Sequence, residues 1–386
     1  MLCTNQDIEA MPYHGQQGRS KWKRDSQRGC FLFFIFGFIV YNLSASLRIE
    51  EPFKRNGIPL RMEGQNHGTT CPEAVLKKSG IYRNERKNYF SGVVLLTASN
   101  SGYDDMLFNW EFLADRLGLK WVVASLDEDL HQKLGLERSF VTNSSFSVGQ
   151  VTKFRQKGFN KLTCNKLRMV LQVLEDCEMD VVFSDTDNVF MKDPFSHDFG
   201  ELMQHGTYEY IYQVNSYKAN SSAPRSHIEL EEGAHASTVK EGNTGFHFLS
   251  HKSKMLKEVI RSTLNQCDAP RNNMDDQRIF WNTLRSGEIP FRMCRHPQPG
   301  SEWVYNSLAL ERKQSHYDNI LSLCFLDPYF YRVGLPHPNK TMQNDMVTYH
   351  ANHIVGKEKK IKRLIRYTPN GIGWNTSRWN VSFNGI

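Results

Sequence analysis

The stretch Val181-Val-Phe-Ser-Asp-Thr-Asp-Asn-Val-Phe190 closes a strand-like apolar run with two carboxylates two positions apart. Asp185 and Asp187 stand where the apolar VVF stops, one serine further on, and after Asn188 come an apolar pair and MKDP. On an extended backbone, residues i and i+2 project to the same side. Unpaired, the two acids repel. A divalent cation between them removes that repulsion, because hard ions such as Mg2+ or Mn2+ prefer carboxylate oxygens. The same letters also describe a strand followed by an acidic turn, so the triplet takes its meaning from what surrounds it.

The surroundings alternate strand and helix. SGVVLLTASN (91–100) is a continuous apolar strand ending in small polar residues. YDDMLFNWEFLADRLG is an amphipathic helix stopped by Gly118, and LKWVVASLD is a second buried strand. A polar segment rich in Gly, Ser and Asn covers 135–160. NKLTCNKLRMVLQVLEDCEM is then a helix whose apolar face runs Leu167, Val170, Leu171, Leu174, and it leads into VVFSDTD. Continuous apolar strands alternating with helices predict an α/β, Rossmann-like, mostly parallel sheet with helices on both faces. In such sheets ligands collect at the carboxyl ends of the strands. Asp185 and Asp187 occupy one such end, and Thr97-Ala-Ser-Asn100 another.

Composition excludes several classes. Apolar content of 39% with 12% aromatics supplies a core and argues against global disorder. The formal charge of +7 is spread out, with dense lumps only at RSKWKR (19–24) and KEKKIKR (357–363). Neither has the aromatic interleaving of a nucleic-acid surface, so no nucleic-acid partner is expected. Nothing repeats with a solenoid period.

From Cys30 to Leu47 the chain reads CFLFFIFGFIVYNLSASL, 18 residues without a charge, at the short end of a bilayer span. Arg19, Lys21, Lys23, Arg24 and Arg28 precede it, while Arg48, Glu50 and Glu51 follow without basic excess. The positive-inside rule puts the N-terminus in the cytosol and the rest across the membrane. A cleaved signal peptide is the rival, with Ser44-Ala45-Ser46 as its site, but the 29-residue leader favours an uncleaved anchor. A short span sorts to thinner secretory membranes. The expectation is a single-pass type II Golgi membrane protein: cytosolic tail 1–29, transmembrane signal anchor 30–47, polar lumenal stem 48–88, catalytic domain 89–367 and C-terminal extension 368–386. Five Asn-x-Ser/Thr sequons beyond the span agree, at Asn143, Asn220, Asn339, Asn375 and Asn380. So does an even set of six cysteines, Cys71, Cys164, Cys177, Cys267, Cys294 and Cys324, which allows up to three disulfides with pairing open.

Four landmarks, in this order and spacing, carry a resemblance: LLTASNSGYDDMLFNW (95–110), NKLTCNKLRMVLQVLEDCEMDVVFSDTDNVFMKDP (160–194), GNTGFHFLS (242–250) with DDQRIFW (275–281), and YHANHIVGKEKK (349–360). Over roughly 89–367 the chain resembles the nucleotide-diphospho-sugar transferase family with a glycosyltransferase A fold. It is similar there to plant rhamnogalacturonan xylosyltransferases and extensin arabinosyltransferases.

That resemblance implies roles. Asp187 contacts the metal, and Asp185 the metal together with the nucleotide ribose. Thr97, Asn100 and Tyr103 hold the nucleoside, or else form only a helix-entry turn. Lys166 and Arg168 approach the phosphates, unless they lie on a solvated helix face. A late histidine completes the metal shell: His350 at the end of the strand MVTYH, with His353 as rival because H-x-x-G-x-x-K (353–359) has a related spacing. Gly356 and Lys359 then touch the diphosphate, with a solvated face again the alternative for Lys359. Asn243, Thr244 and Gly245, read as a turn between strands, offer sugar contacts. One of Asp275 and Asp276 caps a helix, and the other faces the anomeric carbon; the resemblance selects Asp276 and Gln277 as the catalytic pair.

The expected function is metal-dependent, retaining transfer of a xylose-, arabinose- or galactose-type sugar from a nucleotide-diphosphate donor, UDP favoured, to a lumenal glycan or glycoprotein acceptor. The cofactor is Mn2+ or Mg2+, with an imidazole ligand favouring Mn2+. Two alternatives stand beside it: a lumenal glycosidase, whose carboxylates would have to flank a glycosidic bond, and a non-catalytic glycan-binding protein on the same fold.

Overall fold

The computed structural model describes residues 71–78, 80–83, 89–141, 157–204, 208–215, 241–269, 274–286, 291–293 and 320–375, all within the unit Gly68–Ile386. The predicted cytosolic tail 1–29, anchor 30–47 and first part of the stem lie outside the described residues. Among the described residues, no helix is long and apolar enough to cross a membrane.

The strands among these residues are β1 (Gly80–Arg83), β2 (Tyr89–Ser99), β3 (Trp121–Ser125), β4 (Ser139–Val141), β5 (Asp180–Ser184) and β6 (Asn188–Phe190). They continue with β7 (Tyr210–Val214), β8 (Gly242–Leu249), β9 (Phe291–Met293), β10 (Leu321–Phe325), β11 (Tyr331–Val333) and β12 (Thr348–His350). The main sheet has the order β4-β3-β2-β5-β8-β7-β10-β9, with β1 added along β2. Strands β4, β3, β2 and β5 are parallel, and so are β7, β10 and β9. β8 runs antiparallel between β5 and β7. The expected α/β, mostly parallel sheet is therefore present, interrupted by one antiparallel strand at its centre. The apolar runs explain it: Val93–Leu96, Val122, Val123 and Val181–Phe183 are buried, as strands covered by other layers must be.

Helix Asp104–Arg116 sits between two cores. Its Leu107, Trp110 and Ala114 join the core of the main sheet. Met106 and Leu113 join a second core with Val189, Tyr349, Ile361, Leu364 and Trp374. That second core lies under a small sheet, β11-β12-β6, and under the final helix Lys357–Tyr367. Two layers thus meet where β5 passes into β6.

Two expected boundaries move. The stem's last part is folded: Cys71 is disulfide-bonded to Cys177, Ala74 and Val75 of helix Glu73–Lys78 are buried, and β1 pairs with β2. A six-residue helix with one run of three apolar residues is too short to show periodicity, which is why composition alone read it as stem. At the other end packing continues past Tyr367. Trp374 is buried, and Asn109 bonds both Gly373 O and Asn375 N across the chain. A second disulfide, Cys164–Cys267, ties helix Lys157–Asp176 to helix Lys254–Asp268, and Cys324 is disulfide-bonded as well.

His247, in the middle of β8, is buried against Phe183 and Tyr210. Burial first, then nearby Lys166, pushes its pKa down to about 3. Between pH 6.5 and that value the unfolded chain binds a proton that the folded chain does not, so stability falls as pH drops through the window. The slope from this one group is at most about 1.4 kcal/mol per pH unit. Thermal unfolding of His247→Gln between pH 7 and 4.5 should show a shallower decline than the parent chain. Identical slopes would remove His247 from the account.

Candidate active site

The acids reach the site through a turn. β5 ends at Ser184, the Asp185 N–H donates to Gly245 O at 2.7 Å, and the Asn188 N–H donates back to Asp185 O at 3.0 Å. Asp185 and Asp187 therefore sit in the tight connection from β5 to β6, not on extended strand, and the turn makes them converge. β6 then pairs antiparallel with β12, Asn188 opposite His350. The Ala351 N–H donates to Asp187 O at 2.9 Å. That register delivers His350 to the acids across more than 160 residues of sequence.

His350 Nε2 lies 3.2 Å from Asp187 Oδ1 and 3.9 Å from Asp185 Oδ2. One ligand atom from each residue falls within 4.8 Å of the others. Octahedral coordination at about 2.1 Å would set ligand atoms about 3 to 4.2 Å apart, so both measured spacings suit one ion. Each acid is also held from behind. Lys166 Nζ is 2.9 Å from Asp185 Oδ1, and Lys360 Nζ is 2.7 Å from Asp187 Oδ2. One oxygen of each carboxylate thus faces a lysine while the other turns toward His350. Two carboxylate oxygens and an imidazole nitrogen form a donor set that fits Mn2+ or Mg2+.

Burial alone would push the Asp187 carboxyl up, but Lys360 and His350 outweigh it and hold the pKa well below the usual carboxylate range. Burial pulls the Lys166 and Lys360 ammoniums down, and the neighbouring carboxylates more than reverse this, leaving both raised. All three charges persist at neutral pH.

Gly245 explains the close approach. A Cβ there would meet His350 Cε1 at 2.2 Å, Asn243 Oδ1 at 2.6 Å and Asp185 Oδ2 at 2.8 Å. The expectation of a turn carrying Asn243, Thr244 and Gly245 is corrected: all three lie inside β8. The glycine-flanked NT pair reads as a turn, yet it continues β8 as an irregular stretch: the β7 ladder passes from His247 opposite Tyr212 to Asn243 opposite Gln213, and the β5 ladder ends at Phe246. The room left by the missing side chain is taken by His350 and Asp185.

Asp275 caps helix Asp276–Arg285, accepting from the Arg278 N–H. Asp276 is buried and accepts from Thr244 Oγ1 at 3.1 Å, with Lys166 Nζ 3.8 Å away. Lys166 therefore bridges the metal-type acids and Asp276. The neighbouring Gln277 accepts from the Thr244 N–H.

At the end of β2, Thr97 is fully buried and its hydroxyl has no partner among the described residues. Asn100 follows the strand and precedes the turn Ser101–Tyr103. Asp127, which sequence reading passed over, fixes this loop by accepting from the N–H and hydroxyl of Ser101. Tyr103 is half-buried; burial raises its hydroxyl pKa, while Lys360 and Asp187 act on it with opposite signs. It therefore stands beside the acid group.

Three expectations do not join the site. Arg168 pairs with Asp268 and Asn165, because two positions along a helix from Lys166 is a turn of about 200°. Lys359 is exposed, and Lys360 is the lysine that reaches Asp187. Buried Ile361 and Leu364 carried the signal: at helical spacing they share a face with Lys357 and Lys360 and turn Lys359 outward. His353 has a left-handed backbone (φ 56°) and its Nε2 lies 2.7 Å from Asn215 O, so the histidine gathered with the acids is His350. Gly356, with φ +100°, is the N-cap residue of the helix that carries Lys360, a backbone conformation that favours glycine.

Acids, a histidine and lysines converge at the carboxyl edge of an α/β sheet, where such sheets collect ligands, and Asp185, Asp187 and His350 form a group that could hold a metal ion. The chain belongs to the nucleotide-diphospho-sugar transferases: the model of that family matches residues 119–364. It is accordingly a glycosyltransferase of the nucleotide-sugar type. Among solved structures it is similar to a glycosyltransferase involved in glycosylation of the major capsid of PBCV-1, with 10% identity over 69% of this chain and 98% of that one, TM-score 0.35. It is similar to the galactosyltransferase LgtC in complex with donor and acceptor sugar analogues, with 11% identity over 66% and 86%, TM-score 0.36. A third is GlyE of Streptococcus pneumoniae TIGR4, with 12% identity over 50% of this chain and 43% of that one, TM-score 0.32. No curated protein matches the chain.

Proposed function

We propose that the chain transfers a xylose-, arabinose- or galactose-type sugar from a UDP donor to a lumenal glycan or glycoprotein, using Mn2+ and retaining the anomeric configuration. The observation that carries this is the orientation of the acid pair, each backed by a lysine through one oxygen and turned to His350 through the other. Asp185, Asp187 and His350 would hold the ion. When bound, the ion supplies positive charge against the departing diphosphate.

The protein's own groups do the rest. Thr97, Asn100 and Tyr103 receive the nucleoside at the end of β2, Tyr103 by stacking. Lys360, on the helix that Gly356 begins, and Lys166 balance the acids while no diphosphate is present and approach it once it binds. Asn243, Thr244 and Gly245 present the edge of β8 to the sugar. Asp276 and Gln277 stabilise an oxocarbenium-like anomeric centre, with no covalent nucleophile required. The disulfides Cys71–Cys177 and Cys164–Cys267 and the exposed sequon residue Asn339 support a Golgi lumenal address behind a single-pass anchor.

UDP release measured across a panel of UDP-sugars, with and without Mn2+, tests the proposal, and NMR of the product reads the linkage. His350→Ala should raise the Mn2+ needed for half-maximal rate by at least about ten-fold, whereas His353→Ala should leave it unchanged. Turnover with a chelator present, or an inverted linkage, would overturn the corresponding part.

A further inference from the structure

Gln277 ends in an amide whose oxygen accepts and whose nitrogen donates, and its neighbours decide which end faces where. Nε2 donates to Glu241 Oε1 at 2.6 Å. On the other side Oε1 accepts from the Thr244 N–H at 3.4 Å. A flipped amide would set two acceptors together at Glu241 and two donors together at Thr244, so both contacts reject it.

Glu241 is itself held. Its Oε1 also accepts from Asn215 Nδ2 at 3.3 Å, and its backbone oxygen accepts from the Asn215 N–H at 2.9 Å. Arg285 lies 3.8 Å from Oε2, and its guanidinium stands over the buried Trp281 ring at 5.6 Å. Asn215 in turn accepts from Asn243 Nδ2 at 3.2 Å, and His353 Nε2 meets its backbone oxygen. The carboxylate just before β8 thus meets Asn215 and Arg285, and Gln277 is its third partner.

We propose that Glu241 is a positioning residue for the transfer reaction: it turns the Gln277 amide so that the carbonyl oxygen, not the amino group, points to where Thr244 and Asp276 meet. This rests on the reading of Asp276 and Gln277 as the groups beside the anomeric carbon. The two ends of an amide carry opposite partial charges. Beside a centre that becomes positive, the oxygen stabilises the transition state and the amino group opposes it. Glu241 therefore fixes the sign of the dipole that Gln277 offers.

The full chain with Glu241→Ala and Glu241→Gln provides the test, with kcat, donor KM and Mn2+ demand measured by UDP release. The alanine variant should lose about 10- to 100-fold in kcat, as expected for a misoriented group, with little change in KM or Mn2+ demand. The glutamine variant keeps a side-chain oxygen that accepts from Gln277 Nε2 and should recover most of the rate. In a Gln277→Ala background, Glu241→Ala should cost nothing further, because its effect runs through Gln277. An alanine variant with the parent kcat overturns the inference, as does an undiminished loss in the Gln277→Ala background. So does equal impairment of the alanine and glutamine variants. A parent chain that releases UDP from no donor overturns the transferase reading itself, and this inference with it.

Discussion

Asp187→Ala is expected to abolish sugar transfer, by at least about 10³-fold or roughly 4 kcal/mol of transition-state stabilisation, in a chain that still folds. Asp185→Asn should do the same. Asp187 is nearly buried and meets His350 through one oxygen and Lys360 through the other. Its removal takes away a ligand atom and also frees the lysine that balanced it. The fold survives because Lys360 is 29% exposed and reaches water, and because the turn is held by backbone bonds from Asp185 N and Ala351 N. Asp185→Asn keeps the shape but removes the charge that both Lys166 and a cation answer. UDP release in Mn2+ excess, beside circular dichroism and thermal unfolding, separates lost chemistry from lost structure. Activity retained by these variants with a chelator present would end the metal reading.

The strands and the acid pair were legible because both are local. Apolar runs such as Val93–Leu96 and Val181–Phe183 declare buried strands by composition, and Asp185 and Asp187 stand where one stops. That one of Asp275 and Asp276 caps a helix was likewise within reach, since a cap depends on one helix start, while the choice of Asp276 as the inward acid came from the resemblance. What was not legible depends on pairing. The antiparallel β8 sits between β5 and β7, and no property of GNTGFHF says so; glycine and asparagine favour turns when read alone. His350 could be placed beside the acids only through the β6–β12 register, although its position at a strand end was visible. Lys360 rather than Lys359 reaches Asp187 because the helical face buried through Ile361 and Leu364, and not the H-x-x-G-x-x-K spacing, decides which lysine turns inward. Glu241 gave no signal at all, being one acid before a strand until the fold sets Gln277 against it. The anchor and first stem residues fall outside the described part of the chain, so their reading still rests on charge and hydropathy.

Gly245→Ala is the smallest change with a comparably large expected effect. The added methyl carbon would sit 2.2 Å from His350 Cε1 and 2.8 Å from Asp185 Oδ2, distances that no relaxed structure tolerates. β8 is held at this point, because the adjoining Phe246 and His247 pair with Ser184 and Phe183 of β5 and Gly245 O accepts from the Asp185 N–H at 2.7 Å. His350 cannot swing to solvent either, since it is buried with its strand. The imidazole must therefore leave its place beside Asp187. Overpacking of this kind costs about 1–3 kcal/mol of stability, and activity should fall at least about 100-fold with a higher Mn2+ demand, since a ligand has moved. The decisive comparison is with His350→Ala. Removing the ring removes the main clash, so Gly245→Ala should cost markedly less stability in that background than in the parent chain. Equal costs in the two backgrounds would mean that the strain lies elsewhere. A Gly245→Ala chain with parental activity and Mn2+ dependence would mean that His350 does not need the space glycine leaves.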